Sequence, residues 1–381
     1  MKTEQRRWTS KNGWLPETSP EMSESAQLLL IFGAPGTLSN KDLLYDLVKN
    51  YPRAHILGCS TAGEILDTQV SDESLVATAV YFEHTPVKMV KVSLNQVGGS
   101  SHKAGAYLAH GLAEKSLIHV FTLSDGTKVN GSELAKGLVS NLPSNVSVTG
   151  GLAGDGDRFG RTFVLCDQDE PEEGIISAVG FYGKRLHIGY GSVGGWDPFG
   201  PERLITRSKA NILYELDGNS ALRLYKEYLG EHARNLPASG LLFPLSLRIS
   251  KNTSPVTRTI LGVNDEEQSM TFAGDVPEGT YARLMKANID RLIYGAILAA
   301  QTSKDTLASS SIDLAILISC VGRKLVFRQR VEEEVEGVRD ILGKKAAITG
   351  FYSYGELCPS AKGSSCDLHN QTMTITVFRE K

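Results

Sequence analysis

Apolar residues fall in short runs of Val, Ile, Leu and Phe, each bounded by glycine or a polar cluster, and such runs read as strands. Three blocks of the chain repeat one order: a buried apolar strand, a helix, a second strand ending in glycine, a polar loop, then an alternating strand. The first runs LLLIFGAPG (28–36), a helix near 40–50, AHILGCSTAGEI (54–65) and LVATAVYF (75–82). The second runs LIHVFTLSDG (117–126), a helix near 130–141, VSVTGGLAGD (146–155) and IISAVGFYG (175–183). In the third, DLAILISCVGR (313–323) leads to a long helix, then AAITGFYSYGEL (346–357) and QTMTITVF (371–378). Gly58, Gly150 and Gly350 hold matching places, so three glycine-tipped loops project from equivalent strand ends. Blocks packed about a common axis bring those tips together.

Helices show as apolar spacings of three and four. Phe327, Val331, Val335, Val338 and Leu342 share one face, and the acidic run at 332–334 with Glu336 reads as the solvated remainder. Ile289, Leu292, Ile293, Ala296 and Ile297 mark a second helix. Ala221, Leu222, Tyr225, Tyr228 and Leu229 mark a third, closed by Gly230. The class is α/β (mixed α+β), in two domains built from repeated strand-helix-strand-loop-strand units.

Composition removes several function classes. The 381 residues are 41% hydrophobic with a net charge of -3, so there is a sizeable core and no basic field for nucleic acid. No apolar run approaches the length of a bilayer span, and MKTEQRRWTSKNGW is charged where a signal peptide carries its apolar core. The expectation is a cytoplasmic protein without membrane or nucleic-acid partners. Five scattered cysteines fit reduced thiols.

GCSTAGEI from Gly58, GGLAGDGDRFGRTFV from Gly150, GGWDPFGPERLITRSKANILYELDGNSALRLYKEYLG from Gly194, MTFAGDVPEGTYARLM from Met270, and TGFYSYGEL followed by LHNQTMTIT resemble the FIST family. The resemblance spans roughly 26–381 and implies a polar N-terminal segment (1–25), a FIST N-terminal domain (26–218) and a FIST C-terminal domain (219–381). It further implies a sensor of small ligands, not an enzyme, signalling to a separate effector such as a histidine kinase or cyclic-dinucleotide enzyme. One branch of the family binds haem and senses nitric oxide, which makes these the leading specific ligand.

The residues themselves point to a binding site on the loops. Gly58, Ser60, Thr61, Gly63 and Glu64 offer hydroxyls, a carboxylate and close backbone approach. Gly150, Gly151 and Asp155 repeat that chemistry, and Tyr352, Tyr354 and Glu356 add aromatic walls. Trp196 reads as a wall or lid. The bland alternative is structural throughout, with turn glycines, Asp155 as a cap and Trp196 as core. A competing class is an enzyme using Cys59 or a pocket carboxylate, although no GxSxG elbow accompanies Cys59, and a sensor of another small ligand such as an amino acid is a further alternative. GDGDRFG (154–160) lacks the EF-hand pattern and reads as a turn. Cys358, Cys366 and His369 are a candidate zinc set at unusually long spacing. For haem b no CxxCH motif exists. His187, on the strand feeding GSVGGW, is the first choice of axial ligand, against a plain sheet histidine.

Overall fold

Each repeat begins earlier than its apolar runs indicate, because a leading strand and a helix precede the core strand pair. In the computed structural model, which describes residues 1–167, 170–248, 255–307, 309 and 311–381, the first repeat comprises β1 (Lys2–Thr9), β2 (Gly13–Leu15), α1 (Pro20–Ser25), β3 (Leu28–Gly33), α2 (Pro35–Leu38), α3 (Lys41–Lys49), β4 (His55–Ser60), β5 (Glu64–Leu66), β6 (Gln69–Ser71) and β7 (Leu75–Tyr81). The second comprises β8 (Val87–Ser93), α4 (Ser101–Leu112), β9 (Leu117–Ser124), α5 (Gly131–Val139), β10 (Ser147–Leu152), β11 (Val164–Cys166) and β12 (Ile175–Tyr182). The third opens with β13 (Leu186–Val193) and is then interrupted by a lobe: β14 (Asp197–Lys209), β15 (Ile212–Leu216), β16 (Asn219–Ser220), α6 (Ala221–Leu229), β17 (Leu245–Arg248), β18 (Val256–Arg258), β19 (Ile260–Asn264), β20 (Ser269–Phe272) and β21 (Tyr281–Lys286). It resumes with α7 (Ile289–Leu307), β22 (Leu314–Cys320), α8 (Val321–Phe327), α9 (Val331–Leu342), β23 (Ala347–Ser353), β24 (Gly355–Pro359), β25 (Cys366–His369) and β26 (Met373–Glu380).

Three sheets follow one plan: a parallel core pair, the closing strand, then the leading strand. The far edge of each is supplied by another repeat. β5 of the first pairs with β23 of the third, β24 of the third with β10 of the second, and β11 of the second with β4 of the first, all antiparallel. The exchange is cyclic, so no repeat completes its sheet alone.

The glycine-tipped loops do meet. Two residues beyond each repeat glycine a carbonyl accepts from the amide four residues beyond the glycine of another repeat: Ala62 N to Tyr352 O at 2.8 Å, Gly154 N to Ser60 O at 2.8 Å and Tyr354 N to Leu152 O at 3.2 Å. This closed ring is the hub. The glycines themselves are needed by the sheets, since a Cβ at Gly58 would lie 2.6 Å from the Ile31 carbonyl, and at Gly150 and Gly350 it would collide with the carbonyls of Thr122 and Leu317. In each case the obstacle is the neighbouring parallel strand.

Alternation sorts the strands between two cores. Leu28, Leu30 and Phe32 face inward to meet Phe121, Phe181, Phe351 and Phe378 from the other sheets, while Leu29 and Ile31 face outward beneath the first repeat's helices. Burial on both faces explains why these strands read as continuous apolar runs. The lobe has its own core around Leu213, Leu222, Tyr225, Leu247, Met270 and Phe272. The sequence boundary at 218/219 falls inside its sheet, so both sequence domains contribute strands to the lobe.

Three sequence readings change. The polar segment 1–25 is the leading strand and helix of the first repeat, with β1 pairing along β7. It looks like a tail because β1 buries only Arg6 fully. The long third-block helix is two helices, broken at Arg328, whose φ is 53°. And Glu334 is not solvated: it is wholly buried, 2.7 Å from the buried Arg323 guanidinium, and accepts from Ser319 and Tyr352 hydroxyls.

Candidate functional site

A cleft of about 1400 Å³ opens where the strand ends of all three repeats face the lobe. The first repeat contributes Thr61 to Glu64 and Asp72 with Glu73, the second Gly156 to Phe159, and the third the α8 face Val321, Lys324, Leu325 and Arg328. The lobe wall opposite is mostly apolar, with Leu236, Leu241, Leu242, Ile260 and Leu261, interrupted by His232, Asn235 and Ser239.

Glu64 sits in the floor with no exposed surface. Its carboxyl accepts from Thr61 Oγ1 at 2.5 Å, Ser74 Oγ at 2.6 Å and Ser74 N at 3.1 Å. Burial pushes this carboxyl up to about 7 against the pull of those donors. Glu356 is its repeat equivalent, held by Ser353 Oγ at 2.6 Å, Thr372 Oγ1 at 2.8 Å and Thr372 N at 3.2 Å, and burial pushes it up to about 8. It lies in the body interior, away from the cleft lining. In the second repeat the corresponding position is Gly156, and Asp125 instead accepts from the amide of Gly174 at 2.7 Å.

Lys324 reaches the same floor. Its ammonium donates to the Ala62 carbonyl at 2.8 Å, pairs with Asp72 and lies 5.6 Å from the Tyr352 ring centroid. Gly63, with φ 136°, leaves the space it fills, since a Cβ there would overlap the ammonium. Tyr354 stacks on Phe159 at 4.4 Å, accepts from the Phe159 amide at 3.0 Å and donates to the Gly156 carbonyl at 3.2 Å. Asp155 accepts from Arg158 Nε at 2.8 Å and Arg161 N at 3.2 Å. Together they fix the GDGDRFG loop, which the sequence suggests only as a turn, as one side of the cleft.

Of the sequence candidates, Thr61, Gly63 and Glu64 line the cleft, and Asp155 and Tyr354 brace its wall. Ser60 instead accepts from the Phe163 amide at 2.8 Å. Gly58, Gly150 and Gly151 lie in strands, and Tyr352 is wholly buried, donating to Glu334. Trp196 stands at the crossing from body to lobe, packed on Leu292 and Phe327, with its indole N–H donating to the Gln371 carbonyl at 2.8 Å. Cys59 lies in the central core, where burial pushes its thiol well up, so it offers no thiolate to a ligand.

Cys358 and Cys366 are buried thiols on paired strands, and register sets them opposite Asp367 and Pro359. His369 Nε2 lies 2.9 Å from the Cys358 carbonyl. Among the described residues no three of His, Cys, Asp or Glu come together to hold a metal ion. His187 lies on β13, an edge strand whose Gly189 and Gly191 are pressed against α7, and it is not among the residues that line the cleft.

Sequence reasoning missed Lys324, Arg328 and the lobe wall. The cation face was legible as V-x-x-K-L-x-x-R, an i, i+3, i+4, i+7 pattern from Val321 to Arg328. The lobe wall carries no periodic signal.

The FIST N domain model matches residues 27–219 and the FIST C domain model residues 221–359. The chain belongs to the FIST family, whose domains give it a general sensory role. The uncharacterized protein MJ1623 of Methanocaldococcus jannaschii is 23% identical over 239 residues, 55% of this chain and 45% of that protein. The chain thus covers less than half the length of that curated relative. Among solved structures, a chorismatase aligns at TM-score 0.37 and 10% identity, covering 99% of this chain and 98% of its own. A cyanuric acid hydrolase from A. caulinodans aligns at TM-score 0.38 and 8% identity, covering 100% and 99%. Both are enzymes, and the expectation that this chain is not one is withdrawn on that finding. Likeness at such TM-scores says nothing of a reaction here. No helix among the described residues is long and apolar enough to cross a membrane.

Proposed function

We propose that the chain senses a small organic ligand bound in the cleft between the three-repeat body and the lobe, and signals by a change in how the two sit together. The cleft itself carries this reading: loops of every repeat and one lobe wall converge on a space with an apolar side and a few oriented polar groups, the make-up of a ligand site. Its readout would be a separate effector, a histidine kinase or cyclic-dinucleotide enzyme being the expected kinds. The test is a thermal-shift screen of small metabolites, with each hit recovered and analysed by mass spectrometry. A ligand that stabilises the protein, is recovered unchanged and no longer stabilises Leu241→Asp supports the sensor. Hits that stabilise that variant equally place the ligand elsewhere and defeat the reading.

One observation favours a second, enzymatic reading: Glu64 is a cleft carboxyl pushed up to about 7, where a group can both hold and release a proton. Conversion of the recovered ligand, lost in Glu64→Gln, would establish it over pure sensing.

Haem with nitric oxide is the specific ligand the resemblance favours, and two histidines differ in fit. His187 is not among the residues lining the cleft, and its strand is pressed on α7 at Gly189 and Gly191. His232 lines the cleft with no hydrogen-bond partner on its ring among the described residues, its ring 5.3 Å from that of Phe243, and the same cleft is lined by Phe159, Leu242, Arg158 and Arg328. These residues would hold the group, and bound iron would supply diatomic-gas binding. Protein produced with haem supply should then show a Soret band that His232→Ala removes and His187→Ala keeps. A wild-type protein with no such band ends the haem reading.

A further inference from the structure

We infer that the cleft takes an organic acid, its carboxylate held by Lys324 and Arg328 and its apolar body laid against the lobe wall. This rests on the cleft being the ligand site and names the chemistry it selects.

The cations stand four residues apart on α8 and its cap, with Val321 and Leu325 on the same face, so cationic and apolar groups alternate along the cleft side. The two cations are differently committed. Lys324 spends two of its three donors on the Ala62 carbonyl and Asp72, which leaves one. The Arg328 guanidinium has no hydrogen-bond or ion-pair partner among the described residues, while its backbone N–H donates to the Lys324 carbonyl and its positive φ of 53° ends α8 at the cleft. A non-glycine residue in that region persists only where its surroundings impose it. Here it sets a guanidinium, whose planar fork matches a carboxylate, at the exposed end of the α8 face.

Asp72 offsets the charge of Lys324, whereas no acid of the cleft is paired with the Arg328 guanidinium among the described residues. Asp72 is already bound to Lys324, and Asp155, behind the loop, holds Arg158. Glu64 is buried among its three donors. Asp157 and Glu73 are exposed on loops of the second and first repeats. An amine pairing with those two would leave the Arg328 guanidinium without a partner. An acid satisfies the α8 cations and the lobe wall together.

The test uses three probes with one aromatic body and different heads: indole-3-acetate, indole-3-acetamide and tryptamine, titrated calorimetrically into the full chain. The acid should bind at least tenfold more tightly than the amide or the amine. Arg328→Asn, which keeps a non-glycine side chain at this cap and removes the guanidinium, should weaken the acid about tenfold and change the amide less than twofold. Equal binding of acid and amide, tighter binding of tryptamine, an acid indifferent to Arg328→Asn, or no binding of any probe overturns the inference. The cleft reading fails separately, by binding that survives Leu241→Asp whatever the head group.

Discussion

Glu64 and Glu356 stand six residues beyond Gly58 and Gly350 and carry matching donors, so the repeat has preserved a buried carboxyl with its hydroxyls. Both carboxyls are pushed above the ordinary glutamate value of 4.5, to about 7 and about 8. As pH rises past 4.5 the unfolded chain loses these protons while the folded chain keeps them. Stability therefore falls with rising pH across this window, by up to about 1.4 kcal/mol per pH unit for each group. Glu356→Gln keeps the shape without the titration, the Ser353 hydroxyl turning to accept from the new amide. It should flatten the fall between pH 5 and 8 and be the more stable protein at pH 8, as read from urea midpoints. A variant with the wild-type slope would mean Glu356 ionises freely. Glycines separate two physical roles in the same way. Gly350→Ala drives a methyl into the Leu317 carbonyl of a rigid strand and should cost about 3 kcal/mol or prevent folding. Gly343→Ala meets open space and bears only the strain of φ 84° and ψ 163°, a conformation essentially confined to glycine, at about 1–3 kcal/mol.

At the level of elements, a break in one helix builds the site. Ending α8 at Arg328 turns Lys324 and Leu325 toward the cleft, and α9 then returns Glu334 to the buried Arg323. Arg323 also donates to the Leu292 carbonyl at 2.8 Å and to the Gly194 carbonyl at 2.5 Å, tying α8 to α7 and to the crossing into the lobe. Glu334→Ala leaves that guanidinium buried without its counter-charge and should cost about 3–5 kcal/mol in denaturant unfolding. A loss under 1 kcal/mol would show that water reaches the pair. The heptad-like spacing of Val331, Val335, Val338 and Leu342 makes α9 legible in the sequence, but the same pattern assigns the acidic run to solvent. Nothing local distinguishes Glu334 from Glu333. Arg323 lies eleven residues away and meets it only because the two helices fold back on each other.

For the whole molecule, cyclic strand exchange makes the body a single unit although it is built from repeats. A tryptic nick after Lys184, in the exposed turn between β12 and β13, should leave residues 1–184 and 185–381 bound together on size exclusion, separating only in denaturant. Fragments that part in native buffer would contradict the exchange. The sequence by itself determined the repeat, the α/β class, the helices marked by Ala221 to Leu229 and Ile289 to Ile297, and, for blocks packed about a common axis, the meeting of glycine-tipped loops, because apolar periodicity and glycine placement are local consequences of burial and backbone sterics. It also marked Thr61, Gly63 and Glu64, since small polar residues after a buried strand have few other uses. Only the tertiary structure decided which sheet each loop's strand joins, that the strands from β14 to β21 with α6 form a separate lobe, and that the lobe wall, Lys324 and Glu64 line one cleft. Those facts arise from pairings between residues up to hundreds of positions apart. Their partners share no spacing, only a place in the packed whole.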